Sequence, residues 1–377
     1  MTAAASTDKL PMTERREVIV VGGGQAGLAI GYFLAEQGRR FTILEAADAP
    51  AAAWRARWDS LRLFTSARYD GLPGRAFPGN PEHYPGRDEV VSYLTDYARD
   101  FDLPVELGSR VRSISRAEDD YLVELDDRSY ECEQVVVATG PFQIPRTPAF
   151  ASRLDPKIVQ LHSSEYRRPE AIPEGPALVV GGGNTGFQIA AELAGSREVH
   201  LAIGTRQTPL PQRIFRRDLF WYLDALGVIR KSTASRIGRR LAGRDTLIGS
   251  SPRTLRRRHG VRLHGRAVEA AGTKVNFSDG TGIDVRSVIW ATGFGVDHSW
   301  VDVPVFDKGG RLEHRRGVTR SAGLYFLGLT WQHTRGSALL GWVKADAEYI
   351  ARQIAAFRAT APAETSDSAR SRGLART

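Results

Sequence analysis

Two stretches of this chain carry glycines at the spacing G-x-G-x-x-G, each straight after a short apolar run. In residues 18–46, VIVVGGGQAGLAIGYFLAEQGRRFTILEA, they are Gly22, Gly24 and Gly27; in residues 177–205, ALVVGGGNTGFQIAAELAGSREVHLAIGT, they are Gly181, Gly183 and Gly186. The offset is a constant 159, and it also lays Ile30, Leu34 and Ala35 on Ile189, Leu193 and Ala194. This spacing suits a dinucleotide. The first glycine permits a tight turn, the second lets backbone N–H groups approach a pyrophosphate, and the third lets a helix pack on its strand. The helix then presents its positive N-terminal end to the phosphates. Gln25 and Ala26 lie within the first loop, Asn184 and Thr185 within the second, and all four are expected beside the phosphates.

The copies differ where a ribose would sit. The second strand of the first copy ends in Glu45-Ala46, and a carboxylate there accepts hydrogen bonds from ribose hydroxyls, as FAD or NAD would offer. The second copy has Gly204 at that position, followed by Thr205 and Arg206. Glycine leaves room for a 2′-phosphate and arginine pairs with it, so the second site is read as an NADP site. Thr208, Gln212 and Arg213 are further candidate contacts. Each copy continues into a stretch of short alternating strands, 110–125 and 266–277, and closes on a strand ending in A-T-G: Ala138-Thr139-Gly140 and Ala291-Thr292-Gly293.

The elements that must position these residues follow. Strand, glycine turn, helix and strand, twice over, make an α/β chain of two Rossmann-like dinucleotide-binding domains, each with a small antiparallel meander. The first unit is expected over 17–168 and 296–357 with the second lying between them at 169–295, an arrangement that resembles flavoproteins in which a discontinuous FAD domain carries an inserted NADP domain. Residues 1–16 and 358–377 are small, polar and aperiodic, and read as disordered tails. An amphipathic helix is expected over 89–101 and a closing helix over 337–357.

Two such units, each ending in A-T-G, resemble the two-dinucleotide-binding-domain flavoproteins. The disulfide-reducing branch needs a CxxC pair, and this chain has one cysteine, Cys132. The class B flavin monooxygenases have a fingerprint, F-x-G-x-x-x-H-x-x-x-(Y/F), between the glycine loops. Residues 156–166, PKIVQLHSSEY, match it at His162 and Tyr166, with Pro156 and Ile158 in place of Phe and Gly. The stretches WRARWDSLRLFT (54–65), FPGNPEHYPGRDEV (77–90), VVVATGPFQIPRTP (135–148) and LYFLGLTWQHTRGSALLG (324–341) are similar to the CzcO-like group, allied to flavin-containing monooxygenases and YUCCA enzymes.

The resemblance implies an NADPH-consuming monooxygenase that forms a C4a-(hydro)peroxyflavin and inserts one oxygen atom from O2 into a small organic substrate. The alternative is a reductase or oxidase that passes electrons to a partner or to O2. Trp54, Arg62, Val111, Gly328, Gly336, Ser337 and Leu340 are implied FAD contacts, and Ser66, His162 and Arg335 are the catalytic candidates. N-oxygenating relatives carry Asn where this chain has Ser66. That argues against amine N-oxygenation and leaves S-oxygenation, 2-oxo acid oxidation or hydroxylation.

Composition bounds the rest. A single cysteine excludes an intramolecular disulfide framework and a cysteine-held metal cluster, and no metal is expected. No apolar run is long enough to span a bilayer, and the N-terminus lacks a signal-peptide pattern, so a cytoplasmic enzyme is expected, with a homodimer as its candidate assembly. The formal charge of +9 first suggests nucleic acid or an anionic membrane. Residues 206–266 alone hold 16 Lys/Arg and 3 Asp/Glu, so the remainder is slightly acidic. A basic segment in the second unit is read as attraction for NADPH, with no nucleic-acid partner and no integral membrane association.

Overall fold

A computed structural model describes residues 12–205, 207–241 and 246–357. The tail 358–377, the first eleven residues and Arg206 lie outside the described residues.

The chain opens with β1 (Met12–Val21), α1 (Gln25–Glu36) and β2 (Phe41–Leu44), as the first glycine repeat predicts. Val18, Ile19 and Val20 are fully buried, each contributing roughly 1.5–3 kcal/mol relative to exposure. β1 and β2 pair in parallel. A short helix α2 (Ala52–Arg55) follows, and then α3 (Arg87–Asp100), which buries Val90, Tyr93, Leu94 and Tyr97 on one stripe. Its first turn is held by Glu89, whose carboxylate accepts from Gly86 N at 2.8 Å. β3 (Val105–Glu106) joins β2; β4 (Ser113–Ala117), β5 (Asp120–Glu124) and β6 (Arg128–Val137) form the meander.

β6 is antiparallel to β5 over its first half and parallel to β1 along its whole length. Its second half is flanked by the late strand Leu324–Phe326. One sheet, in the order Val301–Asp302, β4, β5, β6, β1, β2, β3, therefore takes strands from both ends of the chain. β1 begins at residue 12, so 12–16 are strand and not the expected disordered tail. The physical reason is the length of β6: it offers partners as far as Arg128, and Arg15 pairs with Asp120 at 2.6 Å while Arg16 meets Glu14 at 2.7 Å.

A two-residue strand, β7 (Ile144–Pro145), pairs antiparallel with Phe294–Gly295. Between these points lies a second sheet, all parallel, in the order Arg262–His264, β10 (Val199–Ala202), β9 (Ala177–Val180), Ser287–Trp290, β8 (Val159–His162). α4 (Asn184–Leu193) follows the second glycine loop. Since β8 belongs to this sheet, the second unit reaches earlier in the chain than the expected boundary at 169. Its meander (Ala267–Ala271, Lys274–Phe277, Gly282–Asp284) is a separate three-stranded sheet. Both faces of each sheet are covered by buried clusters, as a doubly wound fold requires. The closing helix runs Val343–Phe357 rather than from 337. It is preceded by a 3-10 turn, Arg335–Ala338, and by Gly341, where a Cβ would come within 2.0 Å of Tyr69 O.

Candidate active site

Each glycine in the two loops has a distinct steric reason. Gly22 has φ +111° and a Cβ there would lie 2.7 Å from Ala138 O; Gly181 has φ +138° and would meet Ala291 O at 2.1 Å. The A-T-G strand ends thus press on the first glycine of each loop. A Cβ on Gly27 would lie 1.9 Å from Gly22 O, and one on Gly186 would lie 2.0 Å from Gly181 O. Around Gly24 and Gly183 there is nothing within 4 Å. These are the N-cap positions of α1 and α4, and neither helix has a side-chain cap or an acidic residue in its first turn. Two helix N-termini with free N–H groups therefore face open space, which is the cradle a pyrophosphate fills. Gly140 and Gly293, in the A-T-G turns, have positive φ and also face open space.

Around the first loop several distant residues converge. Gln25 Nε2 donates to Ala338 O at 3.1 Å and Gln25 Oε1 accepts from Trp54 Nε1 at 3.3 Å. A Cβ on Gly328 would lie 2.9 Å from the Ala26 methyl. The segment Gly328–Leu340 and the Trp54 loop are thereby brought to the start of α1. Ser337 Oγ accepts from His333 N and Thr334 N, and Thr334 Oγ1 accepts from Gly336 N, so the 3-10 turn carrying Arg335, Gly336 and Ser337 is internally held, and Leu340 is buried beneath it. Glu45 accepts from Gly23 N at 2.8 Å and Ala47 N at 3.0 Å; its carboxylate thus ties the ribose end to the glycine loop. Ala46 is exposed beside it. Ser109 N donates to Glu45 O, which brings Val111 to the same end of β2. Thr139 Oγ1 accepts from Gln143. Arg62 is elsewhere: its guanidinium meets Glu89 and Tyr84 O, both at 3.4 Å, and its backbone exchanges two hydrogen bonds with Gln188 of α4.

In the second loop Asn184 does not offer its side chain to a ligand. Its amide donates to Thr246 O and accepts from Ile248 N, at 3.0 and 2.9 Å. Thr185 is half-exposed, Thr205 is exposed, and Thr292 Oγ1 bonds Arg146 O. A cavity of about 240 Å3 opens beside the loop, walled by Gly182, Phe187, Ile203, Leu247 and Pro252, with Gln207 as its polar member. Gln207 Oε1 is buried and has no hydrogen-bond partner among the described residues. Sequence reading missed Arg266. Its guanidinium donates to Gly204 O at 3.0 Å and would lie 3.2 Å from a Cβ at Gly204, so a cation stands where the first unit has Glu45. Gln212, a candidate contact, instead bridges the units: its carbonyl accepts from Tyr84 OH at 3.4 Å.

The units meet at an aromatic junction. Phe64, Tyr69, Phe220 and Trp342 pack ring on ring at 5.2–6.5 Å. Ser66, Asp70 and Asp218 are buried beside them; the Ser66 and Tyr84 hydroxyls face the Asp218 carboxylate, and Asp70 Oδ2 has no hydrogen-bond partner among the described residues. Burial raises the Asp70 carboxyl to about 7, and burial also raises Asp218. His162 is fully engaged. Its Nε2 bonds Gly293 O at 3.0 Å, its Nδ1 meets Ser164 Oγ at 2.8 Å, and burial lowers its pKa. A neutral, doubly bonded imidazole holds the crossover to the second A-T-G turn and has no ring nitrogen left for substrate. Cys132 is buried, and burial pushes its thiol far up, so it is inert. Among the described residues no group of three metal-ligating side chains occurs, and no helix is long and apolar enough to cross a membrane.

Comparison with known proteins agrees with this geometry. The profile of the pyridine nucleotide-disulphide oxidoreductase family matches residues 19–213. A CzcO-like uncharacterized oxidoreductase of Geobacillus kaustophilus is 42% identical, covering 90% of this chain and 98% of that protein. Indole-3-pyruvate monooxygenase YUCCA1 of Oryza sativa is 27% identical, covering 92% and 94%. The solved structure of a flavin-containing monooxygenase from Stenotrophomonas maltophilia superposes with a TM-score of 0.76 at 29% identity, covering 92% of this chain and 99% of that one.

Proposed function

Since the chain belongs to the pyridine nucleotide-disulphide oxidoreductase family, in its class B flavin monooxygenase group, we propose that it is an FAD-dependent, NADPH-consuming monooxygenase acting on a small organic substrate. The observation that carries this reading is the pair of open cradles, Gly24 before α1 and Gly183 before α4, in a chain whose sole cysteine is buried. When bound, FAD and NADPH supply the hydride and oxygen chemistry. The chain's own residues bind, orient and exclude water. The N–H groups at the start of α1 and Glu45 would hold the FAD diphosphate and ribose; those at the start of α4 would hold the NADPH diphosphate. The cavity beside the second loop has room for an adenine, and Gln207 Oε1 is an acceptor suited to its amino group. Arg266 over Gly204 supports NADPH over NADH, because a guanidinium there attracts a 2′-phosphate. The packed rings at the junction support this reading, because oxygen transfer without leakage to H2O2 requires limited access of water.

The test is oxygen accounting. Purified holoenzyme is given NADPH, 18O2 and a panel of thioethers, 2-oxo acids and aromatic substrates. One labelled oxygen should appear in a product whose amount follows NADPH consumed. H2O2 equal to NADPH consumed with every substrate would favour the oxidase reading instead.

A further inference from the structure

The basic segment holds more charge than one nucleotide needs, and one part of it breaks a local rule. Arg213–Ile214 and Arg217–Asp218 pair antiparallel, which leaves Phe215 and Arg216 as a two-residue turn. Both have positive φ, 44° and 65°. Hairpins of this kind use Asn-Gly there, because a side chain in the left-handed region crowds the backbone. Among the described residues no ring or buried contact of Phe215 offsets this. It is 92% exposed, and among the described residues its ring meets no other ring. A strained, bulky, solvent-facing residue with no internal compensation points outward for its purpose.

Its surroundings say what it faces. Helix α5 (Leu219–Ala225) follows directly, with Trp221 exposed and Leu226, just past its end, 72% exposed. Arg216, Arg217 and Lys231 are exposed and have no carboxylate within 4 Å among the described residues. The Arg217 guanidinium lies 4.3 Å from the Trp221 ring centroid. The acids of the stretch are occupied: Asp218 is buried as the cap of α5, accepting from Phe220 N, and Asp224 pairs with Arg230 at 2.8 Å. The hairpin base is fixed to the first unit, since Arg213 donates to Glu82 O at 2.6 Å and covers the Tyr84 ring.

We propose that this protrusion is a peripheral anchor for an anionic lipid surface: Phe215, Trp221 and Leu226 enter the boundary between headgroups and acyl chains, while Arg216, Arg217 and Lys231 pair with lipid phosphates. A projecting apolar tip, with nearby chain positions carrying cations that pair with no carboxylate among the described residues, matches such a surface in charge and in polarity, and a bilayer needs no preformed recess to receive the tip. The inference does not depend on which redox reaction the enzyme runs.

The test uses the full-length, flavin-loaded chain sedimented with vesicles of phosphatidylcholine alone or with about one quarter phosphatidylglycerol. Binding is expected to the anionic vesicles only, and to fall steeply by about 0.5 M NaCl. The double variant Phe215→Asn, Arg216→Gly installs the turn the backbone prefers. It should keep its flavin, melt no lower than wild type, and bind anionic vesicles about tenfold or more weakly. The proposal is overturned if the wild type stays in solution with both vesicle types, or if the double variant binds as wild type does. A shift from dimer to monomer in light scattering, without any vesicle binding, would instead make the tip a contact between two copies, which also overturns it.

Discussion

The two glycine-loop units share a plan and differ in how they end it. In the first, one continuous strand, β6, serves both the meander and the parallel sheet. In the second, the same return is broken into Gly282–Asp284 and Ser287–Trp290, and the meander stands apart. The ribose ends differ in charge as well. The first unit places Glu45 there and ties it to its own loop; the second places Gly204 under Arg266. The residue two positions past the third strand is Gly108 in one unit and Arg266 in the other. One duplicated scaffold thus carries an acid at this end of one unit and a base at the same end of the other, supplied from different sequence positions, and we propose that cofactor choice resides there rather than in the glycines.

The strongest test of this separation is a matched pair. Gly27→Val forces a side chain onto Gly22 O in the unit that organises the larger sheet, so purified protein should lose nearly all flavin absorbance. Gly186→Val makes the same clash in the second unit, and should stay yellow while its reduction by NADPH fails. If both variants lost flavin equally, the units would not be separable.

Asp70, at the junction, comes next. Its pKa in the folded protein is about 7, above the ordinary 3.8, so folding favours the protonated form. The stability this contributes is complete below about pH 4 and lost as pH rises through 7. Asp70→Asn cannot ionise and still accepts from Thr65, the present partner at 2.6 Å. Its stability advantage over wild type in urea melts should widen by up to about 3 kcal/mol between pH 5 and pH 8. An unchanged gap would show that no carboxyl titrates there.

Arg266→Ala should lower kcat/KM for NADPH by about 10–30-fold and leave NADH nearly unchanged, as loss of a charge-assisted contact predicts. Equal losses with both nucleotides would place the preference elsewhere. The smallest effect is expected from Glu45→Gln. It keeps one acceptor for the loop N–H groups and removes the charge, worth about 1 kcal/mol, or roughly fivefold in flavin dissociation. A larger fall would mean that the charge itself holds the ribose.

Both loops and both A-T-G turns were legible in the sequence because their chemistry is local: each glycine answers to a neighbour fixed by the strand–turn–helix unit. What was not legible depends on partners far along the chain. Arg266 reaches Gly204 only because Arg262–His264 pairs with β10. Asn184 is engaged by Thr246 and Ile248, which lie far along the chain. Thr13 and the charged residues Glu14, Arg15 and Arg16 have no strand periodicity of their own, and they extend because β6 runs beside them. The closing helix starts at Val343 and not at 337, and nothing local in the sequence announces that Gly341 must pass against Tyr69 O.

The short ribbon of β7 with Phe294–Gly295 has a consequence for ancestry and for engineering. Arg146 N donates to Gly293 O at 3.0 Å, so the stretch between them leaves and rejoins its host at nearly one point. A segment with such closely spaced ends behaves as a cassette. Exchanging it carries little cost in chain-closure entropy, and the cost that remains lies in the packing of Trp58 and Leu61 of the host against Phe187 and Leu255.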